Sequence, residues 1–198
     1  MAFLRGSNKR ENGTILFGET LSLRAPVMAD YEQWMALRLA SSAFLRPYEP
    51  SWSTSELSRR SFRKRIDYYK KGLRDGSTYA YFLKRGSDEQ LLGGITLSNV
   101  RHGVIGSGAL GYWIGAPFAR RGHMSEAVGV LSAFAYNELH LHRLEAACLP
   151  DNRPSIGLLK KSGFRKEGLA RQYLRINGVW QDHLLFARLQ EDYQAARS

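Results

Sequence analysis

An apolar, strand-like run, Leu110-Gly111-Tyr112-Trp113-Ile114, leads into Ala119-Arg120-Arg121-Gly122-His123-Met124-Ser125-Glu126 and then into a helical pattern from Ala127 to Leu139. A change from strand period to helix period across a short glycine-containing connection predicts a strand–turn–helix unit. That unit carries chemistry as well as shape. The first turn of a helix leaves backbone N–H groups without intrahelical partners, and the helix dipole adds partial positive charge there. Gly122 lets a ligand approach the backbone closely, while Arg120 and Arg121 supply further charge. A pyrophosphate suits this arrangement. An ordinary strand–helix connection bearing surface arginines suits it equally well.

The remaining elements follow from the same periodicities. Residues 1–14 read as a loose extension, and 15–198 as one domain, a length able to bury a substantial core. Thr20–Ala25 alternates as a strand, and Ala29–Ser42 shows a helical pattern through Tyr31, Trp34, Met35, Leu37 and Leu39. Two prolines exclude a helix over Leu45-Arg46-Pro47-Tyr48-Glu49-Pro50. A helix is expected from near Thr54 or Ser55 to Gly72. Strands are expected over Tyr79–Lys84, Leu91–Val100 (weakened by Gly93 and Gly94) and Ala109–Ile114. After the central helix come a strand over Arg143–Leu149 and a short helix over Pro154–Ser162, with Gly163 at its stop. Arg171–Ile176, the turn Asn177-Gly178 and Val179–Leu189 form a hairpin. The order predicts an α/β (α+β) domain: a mixed, mostly antiparallel sheet with helices on both faces.

Charge bears on partners rather than on fold. The chain carries a formal net charge of +11, concentrated in Arg59, Arg60, Arg63, Lys64, Arg65, Lys70, Lys71 and Arg74. Leu57, Phe62, Ile66 and Tyr69 or Tyr68 recur near helical spacing, so the cations line the outer face of an amphipathic helix. Such a face is either simply solvated or meets an acidic surface, nucleic acid or nucleoprotein included. No zinc-finger spacing or RNA-recognition aromatic motif marks a dedicated nucleic-acid reader. The lone cysteine, Cys148, lies in an apolar run and fits a reducing compartment. No apolar stretch reaches bilayer length, and Met1–Glu11 carries charges where a signal peptide needs its apolar core, so a cytoplasmic, non-membrane location is expected.

The segment around Gly122 resembles the acetyl-CoA-binding motif of the GNAT N-acetyltransferase superfamily, Gln/Arg-x-x-Gly-x-Gly/Ala. Gly122 holds the central glycine, whereas Ala119 and Met124 depart from the pattern. The likeness extends over nearly the whole chain after Thr20, and specifically to the ribosomal-protein-alanine N-acetyltransferase branch. The similar pieces are Leu110–Ile114, Gly122–Ala127, Leu141-His142-Arg143-Leu144-Glu145-Ala146, Pro150-Asp151-Asn152-Arg153-Pro154-Ser155, Gly163–Gly168 and Asn177-Gly178-Val179-Trp180-Gln181-Asp182-His183, with Leu45–Pro50 in the N-terminal half.

This resemblance implies transfer of an acetyl group from acetyl-CoA to an amine by direct attack in a ternary complex. It places the pantetheine arm along Tyr112, Trp113 and Ile114 of a splayed strand. It places the pyrophosphate on backbone N–H groups of Arg121, Gly122, His123, Met124 and Ser125, with Arg120 adjacent. It also implies that Asn152 contacts the cofactor and that Ser155 approaches the sulfur and donates to the departing thiolate. Both are equally good helix caps. Lys160 is a candidate for the nucleotide end, or a solvated lysine.

Glu49 is the preferred general base or water-positioning group, with Asp182 and His183 as competitors that cannot readily face one site together. His140, His142 and Glu145 match no common metal-ligand spacing, so no metal is expected. The implied acceptor is the N-terminal α-amine of a protein, a ribosomal protein foremost. A small-molecule amine, or a non-catalytic acyl-CoA-binding or nucleic-acid-associated module, is the alternative. Monomer and homodimer remain equally open.

Overall fold

The protein's structure, a computed structural model, describes residues 13–195; nearly all of the expected 1–14 extension lies outside the described residues. Eight strands form one sheet: β1 (Leu16–Phe17), β2 (Leu21–Arg24), β3 (Tyr79–Arg85), β4 (Leu91–Arg101), β5 (Ser107–Ile114), β6 (Arg143–Cys148), β7 (Arg165–Ile176) and β8 (Val179–Leu189). Their spatial order is β1-β2-β3-β4-β5-β6-β8-β7. Every neighbouring pair is antiparallel except β5 and β6. A parallel pair needs a crossover, and α4 (His123–Asn137) supplies it.

Alternation along the strands sorts side chains between two faces. Tyr81 and Leu83 of β3 join Leu110 of β5 and Ala127, Val128 and Leu131 of α4 in the larger core. α5 (Arg153–Lys161) adds Leu159 to that face. Phe82, between Tyr81 and Leu83, points the other way. It meets Trp34 of α1 (Tyr31–Ala40) and Phe62 and Ile66 of α3 (Arg59–Arg74) in the second core. Helices therefore cover both faces, as the element order predicted.

Four expectations change in detail. The basic helix begins at Arg59, not near Thr54, because Ser58 is its cap: the Ser58 hydroxyl accepts from the Ser61 N–H at 3.1 Å. The proline segment, expected to exclude helix, holds helical turns. One α-helical turn, α2 (Ser42–Leu45), continues as a 3-10 turn over Arg46–Tyr48, with Pro47 in a first turn where its missing N–H has no intrahelical partner to lose. β7 starts at Arg165 rather than Arg171, for it is an exposed edge strand whose charged residues hide the strand signal. β1 and a terminal helix, α6 (Gln190–Ala195), are too short for their periodicity to register.

A buried ionic cluster ties α1 to the sheet. Asp30 accepts two bonds from Arg24 of β2 (2.5 and 3.0 Å), one from the Val27 N–H (2.9 Å) and an ion pair from Lys84 of β3 (3.1 Å). The Lys84 ammonium also donates to Gln33 Oε1 at 3.2 Å, which accepts the Leu91 N–H of β4 at 3.0 Å. Burial disfavours the Asp30 charge, but the Arg24 bonds, the Val27 N–H and the two nearby cations outweigh it and hold the carboxyl below its usual range.

Candidate active site

β5 and β6 pair at only four positions, from Ser107 opposite Arg143 to Leu110 opposite Ala146. β5 nevertheless continues to Ile114 and β6 to Cys148. The sheet therefore opens between Gly111–Ile114 on one side and Ala147–Cys148 on the other. On the β6 side the opened strand ends leave backbone N–H and C=O groups for an extended, amide-bearing ligand.

At the mouth of this gap stands the head of α4. Arg120 and Gly122 both have positive φ (61° and 85°), and Gly122 is the N-cap. A Cβ added at Gly122 would meet nothing within 4 Å, so glycine is needed here for its backbone angle and for the open approach it leaves. No side chain caps this helix, and its first bond runs from the Glu126 N–H to the Gly122 carbonyl at 3.0 Å. The N–H groups of His123, Met124 and Ser125 thus lack intrahelical acceptors, the condition for an anion cradle. Arg120 and Arg121 are exposed beside it, while the Met124 side chain turns into the core, leaving only its backbone at the cradle. Glu126 is held aside by Thr20, through its N–H (2.8 Å) and hydroxyl (2.6 Å). The donors and their charge fit a diphosphate.

Across the gap, Tyr112 Oη lies 2.7 Å from Ser155 Oγ. Ser155 is placed by Asn152, whose Oδ1 accepts the Ser155 N–H at 3.1 Å as the α5 N-cap. The capping geometry anticipated for Asn152 is therefore present. Burial pushes the Tyr112 phenol well above its ordinary range, against the opposing Ser155 bond. It likewise raises the Cys148 thiol, which also contacts Ser155. Both stay protonated near neutrality and leave the Ser155 hydroxyl among neutral groups. Lys160 is exposed in the last turn of α5, at the opposite end from Ser155.

On the α1–α3 side of the sheet, next to the opening, lies a cavity of about 460 Å³. Glu49, Trp52, Arg38, Tyr112 and Trp113 contribute to its walls. The Trp113 indole sits against Gly94 of β4, where a Cβ would be 2.5 Å from Nε1, and a Cβ at Gly93 would be 2.4 Å from the Trp113 carbonyl oxygen. Of the two glycines that read as a weakness in this strand, Gly94 admits the indole and Gly93 admits the neighbouring backbone.

Glu49 is thoroughly engaged. Arg38 donates to both its oxygens (2.7 and 2.6 Å), and Trp52 Nε1 donates to Oε2 at 2.8 Å. Arg38 is 5% exposed, with its guanidinium 4.5 Å from the Trp52 ring centre and 5.0 Å from that of Trp113. Sequence reasoning missed Arg38 and counted Leu39 in the apolar helical pattern, yet Leu39 is 59% exposed. The available signal was spacing: Arg38 lies four residues after Trp34, on the same helical stripe. A second pair, Arg65 with Glu56 at 2.6 Å, lines the same cavity.

Asp182 and His183 separate as adjacent strand residues should. Asp182 accepts the Gln172 N–H at 2.8 Å and holds the bulge in β7. His183 is buried, with Nδ1 2.9 Å from the Gln181 carbonyl oxygen and its ring against Tyr173. The hairpin tip reaches the cavity loop, where the Asn177 N–H donates to the Glu49 carbonyl at 2.9 Å. Tyr112, Ser155 and Asn152 are thus brought together, with Trp113 and Glu49 on the adjoining cavity, while Lys160 stands apart. Among the described residues no His, Cys, Asp and Glu side chains gather into a group able to hold a metal ion. No helix among them is long and apolar enough to cross a membrane.

Known proteins resemble this chain over most of its length. Residues 20–165 match the family model described as acetyltransferase (GNAT) domain. The probable N-acetyltransferase YjcK of Bacillus subtilis (strain 168) is 33% identical over 90% of this chain and 98% of its own. The ribosomal protein uS5-alanine N-acetyltransferase of Escherichia coli (strain K12) is 32% identical over 78% of this chain and 79% of its own. Among solved structures, Mycobacterium smegmatis RimJ in complex with CoA-disulfide superposes with a TM-score of 0.82 at 28% identity, covering 97% of this chain and 93% of that one. A sheet opened beside an uncapped helix head, together with these likenesses over most of the chain, identifies the family: the chain belongs to the GNAT acetyltransferases and is an acetyl-CoA-dependent N-acetyltransferase.

Proposed function

We propose that the acceptor is the N-terminal α-amine of a protein, a ribosomal protein foremost, and that the reaction takes place in the cytoplasm. The Tyr112–Ser155 contact across the sheet opening carries the mechanistic part of this reading. It lies beside the sheet opening, and Tyr112 also contributes to the wall of the cavity. Acetyl-CoA supplies an activated acyl group: the amine nitrogen bonds to the acetyl carbon, the carbon–sulfur bond breaks, and the thiol leaves with a proton.

The residues of this chain divide the remaining work. Backbone N–H groups of Arg121 to Ser125 hold the diphosphate, with Arg120 and Arg121 adding charge, and the free backbone of Tyr112, Trp113 and Ile114 holds the pantetheine arm. The Ser155 hydroxyl donates to the departing sulfur while accepting from Tyr112, which stays protonated throughout the neutral range. Asn152 fixes Ser155 as the helix cap and adjoins the cofactor; Lys160 belongs to the nucleotide end. Glu49, saturated on most of its lone pairs, acts by positioning water and the amine rather than as a free base.

An α-amine needs little further help. Its pKa is about 7.7–8.0 against about 10.4 for lysine, so lysine costs about 3 kcal/mol more to neutralise near pH 7. Supporting the ribosomal acceptor is the likeness to the Escherichia coli uS5-alanine enzyme. The test is release of CoA thiol from acetyl-CoA with N-terminal peptides, each with its lysines free and blocked, and with small amines. Turnover on peptides carrying only an α-amine is the expected result. Turnover confined to lysine side chains or to small amines overturns the acceptor.

A further inference from the structure

α3 holds most of the chain's excess charge: eight basic residues and one acid, Asp67, a net +7 of the total +11. Its apolar stripe is spent, since Phe62 and Ile66 are buried against Trp34 and Phe82. The helix can neither roll nor dip into a bilayer, because insertion needs the face already used in the core. What faces outward is rigidly displayed charge.

Three of the eight cations are engaged by carboxylates. Arg65 turns inward to Glu56, Arg59 lies 3.6 Å from Glu32, and Lys71 lies 2.5 Å from Asp75. Arg60, Arg63, Lys64, Lys70 and Arg74 form no ion pair among the described residues. Several cations stand four apart with their own kind, as Arg60 with Lys64 and Lys70 with Arg74, an arrangement that destabilises a helix. A merely solvated helix relieves such repulsion with interspersed acids, and this one has only Asp67. Tyr68, 61% exposed, offers a stacking ring among the cations.

From Arg60 to Arg74 the helix rises about 21 Å, the length over which about six phosphates of one strand succeed one another. The inner side of the same helix lines the cavity through Arg65 and Tyr69. A polyanion held on the outer face therefore lies about one helix diameter, roughly 10 Å, from the cavity.

We infer that the outer face of α3 is an RNA-docking surface that brings the acceptor, presented on an RNA-containing particle, to the cavity beside it. The choice of RNA over other polyanions rests on the ribosomal-acceptor reading. The surface reads backbone charge, so it favours no base sequence.

The test uses the full chain and a variant carrying Arg60→Gln, Arg63→Gln, Lys64→Gln and Lys70→Gln, with fluorescence anisotropy of a labelled RNA hairpin of about 20 nucleotides. With five phosphate contacts the wild type loses affinity about 500-fold between 50 and 200 mM salt, and the variant's log–log salt slope is shallower by about 3.6. Turnover on a free acceptor peptide is unchanged in the variant, and circular dichroism confirms that its helices remain. RNA binding by the variant equal to wild type overturns the proposal. So does tighter binding of an acidic polyglutamate peptide, or of a DNA hairpin of the same sequence, than of RNA. If neither protein acetylates α-amine peptides while RNA binding behaves as expected, the acceptor reading falls and the docking surface stands.

Discussion

The hydroxyls of Tyr112 and Ser155 stand 2.7 Å apart across the gap where β5 and β6 cease to pair. One belongs to an opened strand and the other to the first turn of α5, so the contact exists only because the sheet splays at that level. Ser155→Ala removes the proposed donor to the leaving sulfur. It should lower kcat on the order of 100-fold, with little change in KM for acetyl-CoA. Tyr112→Phe leaves the donor but removes its partner, a loss of about 0.5–1.5 kcal/mol or roughly 2- to 10-fold in kcat. Steady-state kinetics on a reactive α-amine peptide checks both, and an undiminished kcat in Ser155→Ala removes Ser155 from the mechanism.

Glu49 and Arg38 form a bidentate pair walled by tryptophans. Glu49→Gln leaves a buried guanidinium without its counter-charge. Glu49 retains some solvent contact, so the expected cost is discounted to about 2 kcal/mol, or roughly 4–8 °C in Tm for a domain of this size. Were Glu49 a free base, Glu49→Gln would remove the rise of kcat/KM with pH. As a positioning group, it leaves that rise in place, with a midpoint near the acceptor amine's pKa of about 7.7–8.0. Thermal melts and a pH–rate profile separate the two.

Gly94 and Gly122 predict different failures. Gly94→Ala drives a methyl against the Trp113 indole, with Cβ 2.5 Å from Nε1, so the ring must leave its place or β4 must shift. The expected result is about 1–3 kcal/mol of lost stability and a raised KM for the acceptor. Gly122→Ala meets no neighbour but must hold φ near +85°. It should cost about 1–2 kcal/mol and weaken CoA binding measured by calorimetry. Unchanged CoA affinity there dissociates the turn from the cofactor.

Asp30 makes folding sensitive to acid. Its carboxyl is held below the ordinary value of 3.8, so the charged form is worth more folded than unfolded. That stability is fully present above the unfolded pKa and drains away as pH falls through the lower, folded one. Asp30→Asn strands Arg24 and Lys84 and should destabilise the protein by about 3–5 kcal/mol at neutral pH. It should also flatten the loss of stability below pH 4, as urea titrations across pH will register.

What could be read from the chain was what neighbours in sequence decide. Gly122 before a helical period, Gly163 after one and Asn177-Gly178 between two strands each declare a backbone angle, and all four residues have positive φ in the structure. Asn152 likewise caps the helix it precedes. Arg38 escaped because periodicity counts apolar character, and an arginine buried by an ion pair and two indoles scores as surface. β7 escaped upstream of Arg171 because an edge strand needs no buried face. Its backbone is ordered by pairing with β8 instead.

The amino-acid order alone determined the kinds of elements, their succession, and a glycine turn suited to an anion, since these depend on dihedral preference and period within a few residues. Only the tertiary structure decided that Tyr112 would meet Ser155, that Glu49 would be taken up by Arg38, and that Gly93 and Gly94 would make room for Trp113. Those relations join residues far apart in the chain. They arise from where the sheet opens and what packs against it, a balance of burial and charge that no local pattern encodes.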